Sequence, residues 1–350
     1  MLQFVKRLLS HLQGETLKLF GLAGILLLIW GTLAPIGTLV WWVSQSAESL
    51  GLKEEEEQKR LRSSNSASQG ATGSANSKAA NSKIDCYIVY LSGVGDFSTD
   101  QLLSGEKFFL DQLEQLHPNC VTVRDVFPYS AANESLGGQR LLAPLWEAIE
   151  EADGWLKNAD VLIKIRNLWR FAIAADDRYG EVYGRGIATA IVDRMNAVHP
   201  VSSSPRQPIN LILLGTSGGV QVALGAVPYL HDRLPARLTV VSLGGTFDGE
   251  AGFETADEVY QLKGDNDWVP ILPRVVFASR WRWTIGSPFN QARQQGRYHF
   301  LESGPHEHDG DQGYFGVENI NGTETTYVGL TLQKVNQLPI WSRNEKTTTP

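Results

Sequence analysis

Apolar and polar positions divide this chain at Ile84. Upstream lies one long uncharged run, Leu19 to Val43, of 25 residues. At about 1.5 Å per residue it would span roughly 37 Å, more than the roughly 30 Å hydrocarbon core of a bilayer. The run is therefore predicted to be a single transmembrane helix, with Pro35 a natural kink site and Trp30, Trp41 and Trp42 suited to the interfacial belt. Its length argues against a cleaved signal peptide, although Ser44-Gln45-Ser46 is small enough to resemble a cleavage site. Before it, within the segment 1–18, Leu2, Val5, Leu9 and Leu12 share a helical face, the pattern of a short interfacial helix. After it, residues 44–83 are predicted to form a charged helix over Gly51 to Arg62 and a Ser/Asn/Ala/Gly tether over Ser63 to Lys83.

From Ile84 onward strand-like and helix-like patterns alternate, which predicts an α/β domain over 84–340 with a tail at 341–350. The predicted strands are Asp85–Leu91, Val121–Val126, Ile209–Leu214, Leu238–Leu243, Val259–Lys263 and Tyr298–Leu301. The predicted helices are Leu102–Leu116, Gly186–Val198, Val220–Tyr229 and Glu324–Val335. Between Gly138 and Arg185 no strand pattern occurs. Leu141, Leu142, Leu145, Trp146 and Ile149 share a helical face, so this stretch is expected to be a helical cap, at about 138–185. Within it, Val161–Ile173 is strongly apolar but carries Lys164, Arg166 and Arg170. It suits a buried cap helix or a lid at a greasy substrate entrance.

Charge and cysteines narrow the picture. The formal net charge is −7 and the C-terminal region has no basic block, which argues against nucleic acid as a partner. The basic residues flanking the apolar run nearly balance, so membrane orientation is not set by them. Cys86 and Cys120 lie in apolar, strand-like stretches and are expected to be buried free thiols rather than a pair.

The chemistry centres on Gly215-Thr216-Ser217-Gly218-Gly219, directly after the strand-like Ile209–Leu214. A strand that ends in G-x-S-x-G and turns into a helix presents its serine on a nucleophile elbow. A serine hydroxyl needs a histidine to take its proton and an acid to orient that histidine. The acid is expected in Gly264-Asp265-Asn266-Asp267-Trp268-Val269-Pro270, with Asp267 the better fit and Asp265 the reserve. The histidine is expected in Gly304-Pro305-His306-Glu307-His308-Asp309-Gly310-Asp311, where His306 and His308 both qualify. Glu307, Asp309 and Asp311 beside them would favour the imidazolium. This loop could also be read as a metal site, but no complementary His or Cys cluster occurs elsewhere, so no metal or other cofactor is expected. His299, within a strand, is expected to be structural. An oxyanion hole needs two backbone N–H groups: Gly218 would supply one, and Val94 or Gly95, in the turn after the first strand, the other. Asp96 is expected to cap the next helix.

Together with Y-L-S-G-V-G-D-F-S (90–98), D-V-F-P-Y-S (125–130), D-R-Y-G (177–180), L-G-T-S-G-G-V-Q (214–221), S-L-G-G (242–245) and G-P-H-E-H-D-G-D-Q-G-Y-F (304–315), the domain resembles a family of often membrane-tethered bacterial α/β-hydrolase-like proteins. In that family the histidine precedes the closing Gly-Tyr by five residues, which matches His308. The resemblance implies a serine-hydrolase scaffold without an established substrate, and the histidine loop here is more acidic than is usual for it. The expectation is an α/β-hydrolase-like, mostly parallel sheet with a helical cap, preceded by one transmembrane helix. Its function would be that of a membrane-anchored serine hydrolase acting on an ester, thioester or amide, with a small-molecule or lipid-like acyl substrate. The competing expectation is a catalytically silent protein of the same fold that binds a ligand or partner.

Overall fold

The computed structural model describes residues 84–94, 102–129, 167, 171, 174–175, 180–201, 208–250 and 252–341. The expected transmembrane run, tether and tail, Gly95, Asp96 and most of the expected cap lie outside the described residues. Among the described residues no helix is long and apolar enough to cross a membrane.

Six strands form one all-parallel sheet in the order β2-β1-β3-β4-β5-β6. They are β1 (Cys86–Leu91), β2 (Cys120–Val123), β3 (Ile209–Thr216), β4 (Ala236–Leu243), β5 (Glu258–Gly264) and β6 (Tyr298–Gly304). Parallel strands covered on both faces read as near-continuous apolar runs. Accordingly every residue of β1 is buried, as are the last six of β4.

Helices flank the sheet on both faces. The first apolar layer joins alternate strand residues such as Tyr87, Val89, Leu211 and Leu213 to α2 (Gly180–Val198), α3 (Gly219–Arg233), α4 (Gly252–Thr255) and α6 (Pro288–Gln294). The second joins Ile88, Tyr90, Ile212 and Leu214 to α1 (Ser104–Leu116) and α7 (Tyr327–Asn336). A further short helix, α5 (Leu272–Val276), follows β5.

Side-chain caps account for two shifted helix starts. The Leu103 N–H donates to Glu106 Oε2 (2.8 Å) and the Tyr90 hydroxyl to Glu106 Oε1, so α1 begins at Ser104 rather than Leu102. The Thr326 hydroxyl accepts from the Gly329 N–H (3.1 Å), which places the start of α7 at Tyr327 rather than Glu324. α2 starts six residues earlier than Gly186, because Tyr183 is buried in the same layer as Ile187 and Ile191, its hydroxyl on Pro128 O (2.7 Å).

The cysteines correct the expectation of free thiols. Cys86 and Cys120 sit opposite each other in the parallel pairing of β1 with β2, on the same face of the sheet, and form a disulfide. Both are buried and lie in strands, as the sequence predicts. Register, which brings the two Cα atoms to 4.3 Å, joins them.

Strand order reverses between β1 and β3: the chain leaves β1 outward to β2, then returns to β3 on the other side. In open parallel sheets, ligands bind outside the strand carboxyl ends at such a switch point. The turn Ser92–Val94 and the residue Ser217 both lie there, one residue beyond β1 and β3 respectively.

Candidate functional site

β3 ends at Thr216 and α3 begins at Gly219, leaving Ser217 and Gly218 to make the whole turn. Ser217 has φ +48°, the one positive φ at a non-glycine among the described residues. That is a costly conformation for a side-chain-bearing residue and persists only where surroundings hold it. Three backbone hydrogen bonds do so: Ser217 N–H donates to Leu243 O (3.3 Å), and the N–H groups of Thr246 (3.0 Å) and Val220 (3.3 Å) donate to Ser217 O. The turn also requires bare backbone. A Cβ on Gly219 would lie 2.4 Å from the carbonyl oxygens of both Leu91 and Ser92, and one on Gly218 would lie 2.8 Å from Val94 Cγ1.

β5 and β6 deliver the other two side chains. Asp267 lies three residues past the end of β5 and is almost wholly buried. Its Oδ1 accepts from Val269 N–H and faces His308 Nδ1, both at 3.0 Å, while its Oδ2 accepts from the Tyr314 hydroxyl (2.8 Å). His308 follows β6, and its Nε2 lies 3.0 Å from Ser217 Oγ. A carboxylate oxygen can only accept, so Nδ1 carries the proton and Nε2 offers its lone pair to the serine hydroxyl. That is the tautomer a general base requires.

The alternates stand elsewhere. Asp265 is solvent-exposed, its backbone bonded to Gly304 O. His306 is fully buried beneath the site. Its Nε2 faces Tyr327 O and Thr331 Oγ1 and its Nδ1 faces Ser303 Oγ, all within 3.0 Å. The Tyr327 carbonyl fixes Nε2 as the protonated nitrogen, so the Ser303 hydroxyl donates to Nδ1. Burial holds this imidazole below its ordinary pKa, against the pull of Tyr327 and Ser303. His299 stacks on Tyr260 (4.6 Å) and contacts Glu258, away from the serine.

The acidic surroundings expected of the histidine loop are displaced outward. Glu307, Asp309 and Asp311 are exposed, and among the described residues Asp267 is the acid hydrogen-bonded to His308. Among the described residues there is also no group of three or more His, Cys, Asp or Glu side chains placed to hold a metal ion.

The Ser92–Val94 turn lies against the serine: a Cβ on Gly93 would meet Ser217 Cβ at 3.4 Å. Tyr129 hydroxyl donates to Ser92 O (3.0 Å) and Asn167 Nδ2 to Val94 O (2.8 Å), so both carbonyls are pinned. Among the described residues no hydrogen bond uses the Val94 or Gly218 amide.

Three side chains of this site were not singled out from the sequence. Tyr314 donates to Asp267 and accepts from Gly264 N–H (2.8 Å), with its ring stacked on His306 at 5.1 Å and 5°. Burial is the main cause that drives its phenol far above the usual range, with Asp267 adding to it, so it remains a donor. Tyr129 and Asn167 hold the turn. Position alone offered a signal: Tyr314 and Tyr129 sit inside the quoted 304–315 and 125–130 segments. Comparisons with protein-family models, with characterised proteins and with solved structures find no match to this chain.

Proposed function

We propose that this protein is a serine hydrolase of the α/β-hydrolase type, cleaving an ester, thioester or amide carbonyl. The observation that carries the proposal is the relay from Ser217 Oγ through His308 to Asp267, with both hydrogen bonds at 3.0 Å. The serine stands after β3, the acid after β5 and the histidine after β6, the chain order of the α/β-hydrolase triad.

In this reading Ser217 Oγ attacks the carbonyl carbon as His308 Nε2 takes its proton. The carbonyl π pair moves onto oxygen, and the resulting oxyanion is held by the amides of Gly218 and Val94. Collapse of the tetrahedral intermediate breaks the bond to the leaving group, which takes the proton from His308 and leaves an acyl-serine. A water then attacks the acyl carbon, giving its proton to His308, and the second collapse returns that proton to Ser217. Asp267 stays ionic throughout, orienting the ring and stabilising the imidazolium.

The uncharged run Leu19–Val43 supports a membrane anchor, and with the apolar cap pattern it favours a lipid-like acyl substrate. A fluorophosphonate probe should label the detergent-solubilised full chain at Ser217, and Ser217→Ala should abolish the label. A folded wild-type protein that takes no label would overturn the proposal.

A further inference from the structure

Directly after Asp267 the chain turns from acidic to basic and from buried to exposed. No Asp or Glu occurs from Trp268 to Leu301, whereas Arg274, Arg280, Arg282, Arg293 and Arg297 do, in a chain whose net charge is −7. Trp268, Ile271, Leu272, Val275 and Val276 fall at i, i+3, i+4, i+7 and i+8, the spacing of an apolar helical stripe. Such a stripe ordinarily packs on a core. Here, across the helical turn Val269–Ile271 and α5, all five side chains face water, with Val275 and Val276 68% and 67% exposed. Trp283 (74%) and Ile285 (66%) extend the same surface, since Trp281 Nε1 donates to Val275 O (3.3 Å) and Trp281 packs on Trp283 at 5.1 Å. Exposed apolar surface gathered in this way marks an interaction site.

The segment that displays it is held firmly. Asn290 Nδ2 faces the carbonyls of Trp281 and Thr284 at 2.8 Å and the Ser287 hydroxyl at 3.0 Å. Arg280 is buried with its guanidinium over the rings of Phe247 (4.0 Å) and Phe289 (4.8 Å). The tryptophans are thus presented outward by a loop anchored from below. Arg274, Arg282 and Arg293 are exposed and supply the charge beside them.

We propose that the Trp268–Ile285 face seats on the surface of an anionic lipid bilayer. Tryptophan with aliphatic residues suits the headgroup layer, and exposed arginines in a stretch that itself holds no acid complement anionic lipid. The same sequence carries an uncharged run long enough to span a bilayer, which makes lipid the surface such a chain meets. The face begins one residue past the candidate acid and is tied to it by Val269 N–H on Asp267 Oδ1, so a bilayer seated there borders the site. The inference rests on the exposed face and not on turnover, and Ser217→Ala is expected to leave it unchanged.

The test places an environment-sensitive fluorophore on the thiol of full-length Val275→Cys, Cys86 and Cys120 being paired and buried. The protein is reconstituted in nanodiscs of phosphatidylcholine alone or mixed with phosphatidylglycerol. In the anionic discs the emission should shift to the blue and be quenched by spin-labelled lipid. The ratio of seated to unseated protein should fall about five-fold for each of Arg274→Gln and Arg282→Gln, the value of about one basic residue near an anionic surface. A label on Gln115→Cys, exposed on α1, should stay in water in both. A Val275→Cys label that stays in water in both lipids overturns the proposal. So does equal quenching with and without anionic lipid, or shielding that spin-labelled lipid cannot quench and that grows with copies per disc, which would mean a second copy of the chain. If Val275→Cys fails to fold, Ile285→Cys provides the same readout.

Discussion

At the scale of single residues, Tyr314 and the two histidines divide the work of the site in a way that can be measured. His308 holds the serine and the acid, whereas His306 is a buried neutral ring under Tyr314. His308→Ala should lose at least about a thousand-fold in turnover. His306→Ala should instead lose a few kcal/mol of stability through the cavity and the unpaired Ser303 hydroxyl, since Thr331 still donates to Tyr327 O (3.3 Å), with turnover of the folded fraction changed far less. Hydrolysis rates and urea unfolding of the two variants separate these outcomes, and the reverse order would move the base to His306. Tyr314 is a positioning residue: its hydroxyl is hydrogen-bonded to Asp267 and Gly264, and among the described residues no hydrogen bond joins it to Ser217 or His308. A hydrogen bond to a charged group is worth about 1.5–3 kcal/mol. Tyr314→Phe should therefore lower kcat on the order of ten- to a hundred-fold while leaving KM nearly unchanged. A change confined to KM would contradict the assignment.

At the scale of elements, all six strands were legible in the sequence: the central β1, β3 and β4, buried on both faces, leave near-continuous apolar runs, whereas β5 and the partly exposed edge strand β6 show only short ones. The Ile209–Leu214 pattern anticipated β3 to within two residues of its C-terminus, and Gly264 closed β5 where the acid turn was expected. Three of the proposed catalytic residues followed, since elbow, acid turn and histidine loop each hang on a strand end. What the sequence did not display depends on register and tertiary contact. α4, α5 and α6 have no counterpart among the predicted helices, because α4 is a single turn of four residues, α5 and α6 carry proline in their first turn, and the stripe of α5 faces outward. The choice of His308 over His306 by side-chain partners, the role of Tyr314 and the pairing of Cys86 with Cys120 all need the strands side by side. That pairing has its own consequence. It closes a loop of sequence separation 34 that contains α1, and a loop of that length stabilises by about 4 kcal/mol in the chain-entropy estimate. The Cys86→Ser/Cys120→Ser double variant should unfold at correspondingly lower urea, with the site geometry, which lies at the opposite strand ends, still able to take the fluorophosphonate label. Equal stability of the two proteins would contradict a disulfide in the folded chain.

For the whole molecule, buried groups off the Ser217–His308–Asp267 relay pull the stability curve in opposite directions with pH, Asp248 and His306 among the described ones. Asp248 is buried beside Gln221, which donates to its Oδ2 (2.7 Å), and Glu250 N–H donates to its Oδ1 (2.9 Å). Burial outweighs these donors and pushes its carboxyl up from 3.8 to about 6. An acid whose folded pKa is raised contributes stability that is fully present below about pH 4 and is lost as pH rises through about 6. His306 is depressed by burial, so its contribution is present above its ordinary value and is lost as pH falls below about 6.5. The two therefore oppose each other in the acid range. Asp248→Asn removes one of them. It also turns an amide N–H₂ toward the Gln221 Nε2 donor, a cost that does not vary with pH. The difference in unfolding free energy, wild type minus variant, should then decrease as pH rises from about 4 to above 6, by up to about 3 kcal/mol for a shift of roughly two units. Urea unfolding of both proteins at a series of pH values measures it directly. A difference that stays constant across that window would mean Asp248 titrates in the folded protein as it does in the unfolded chain.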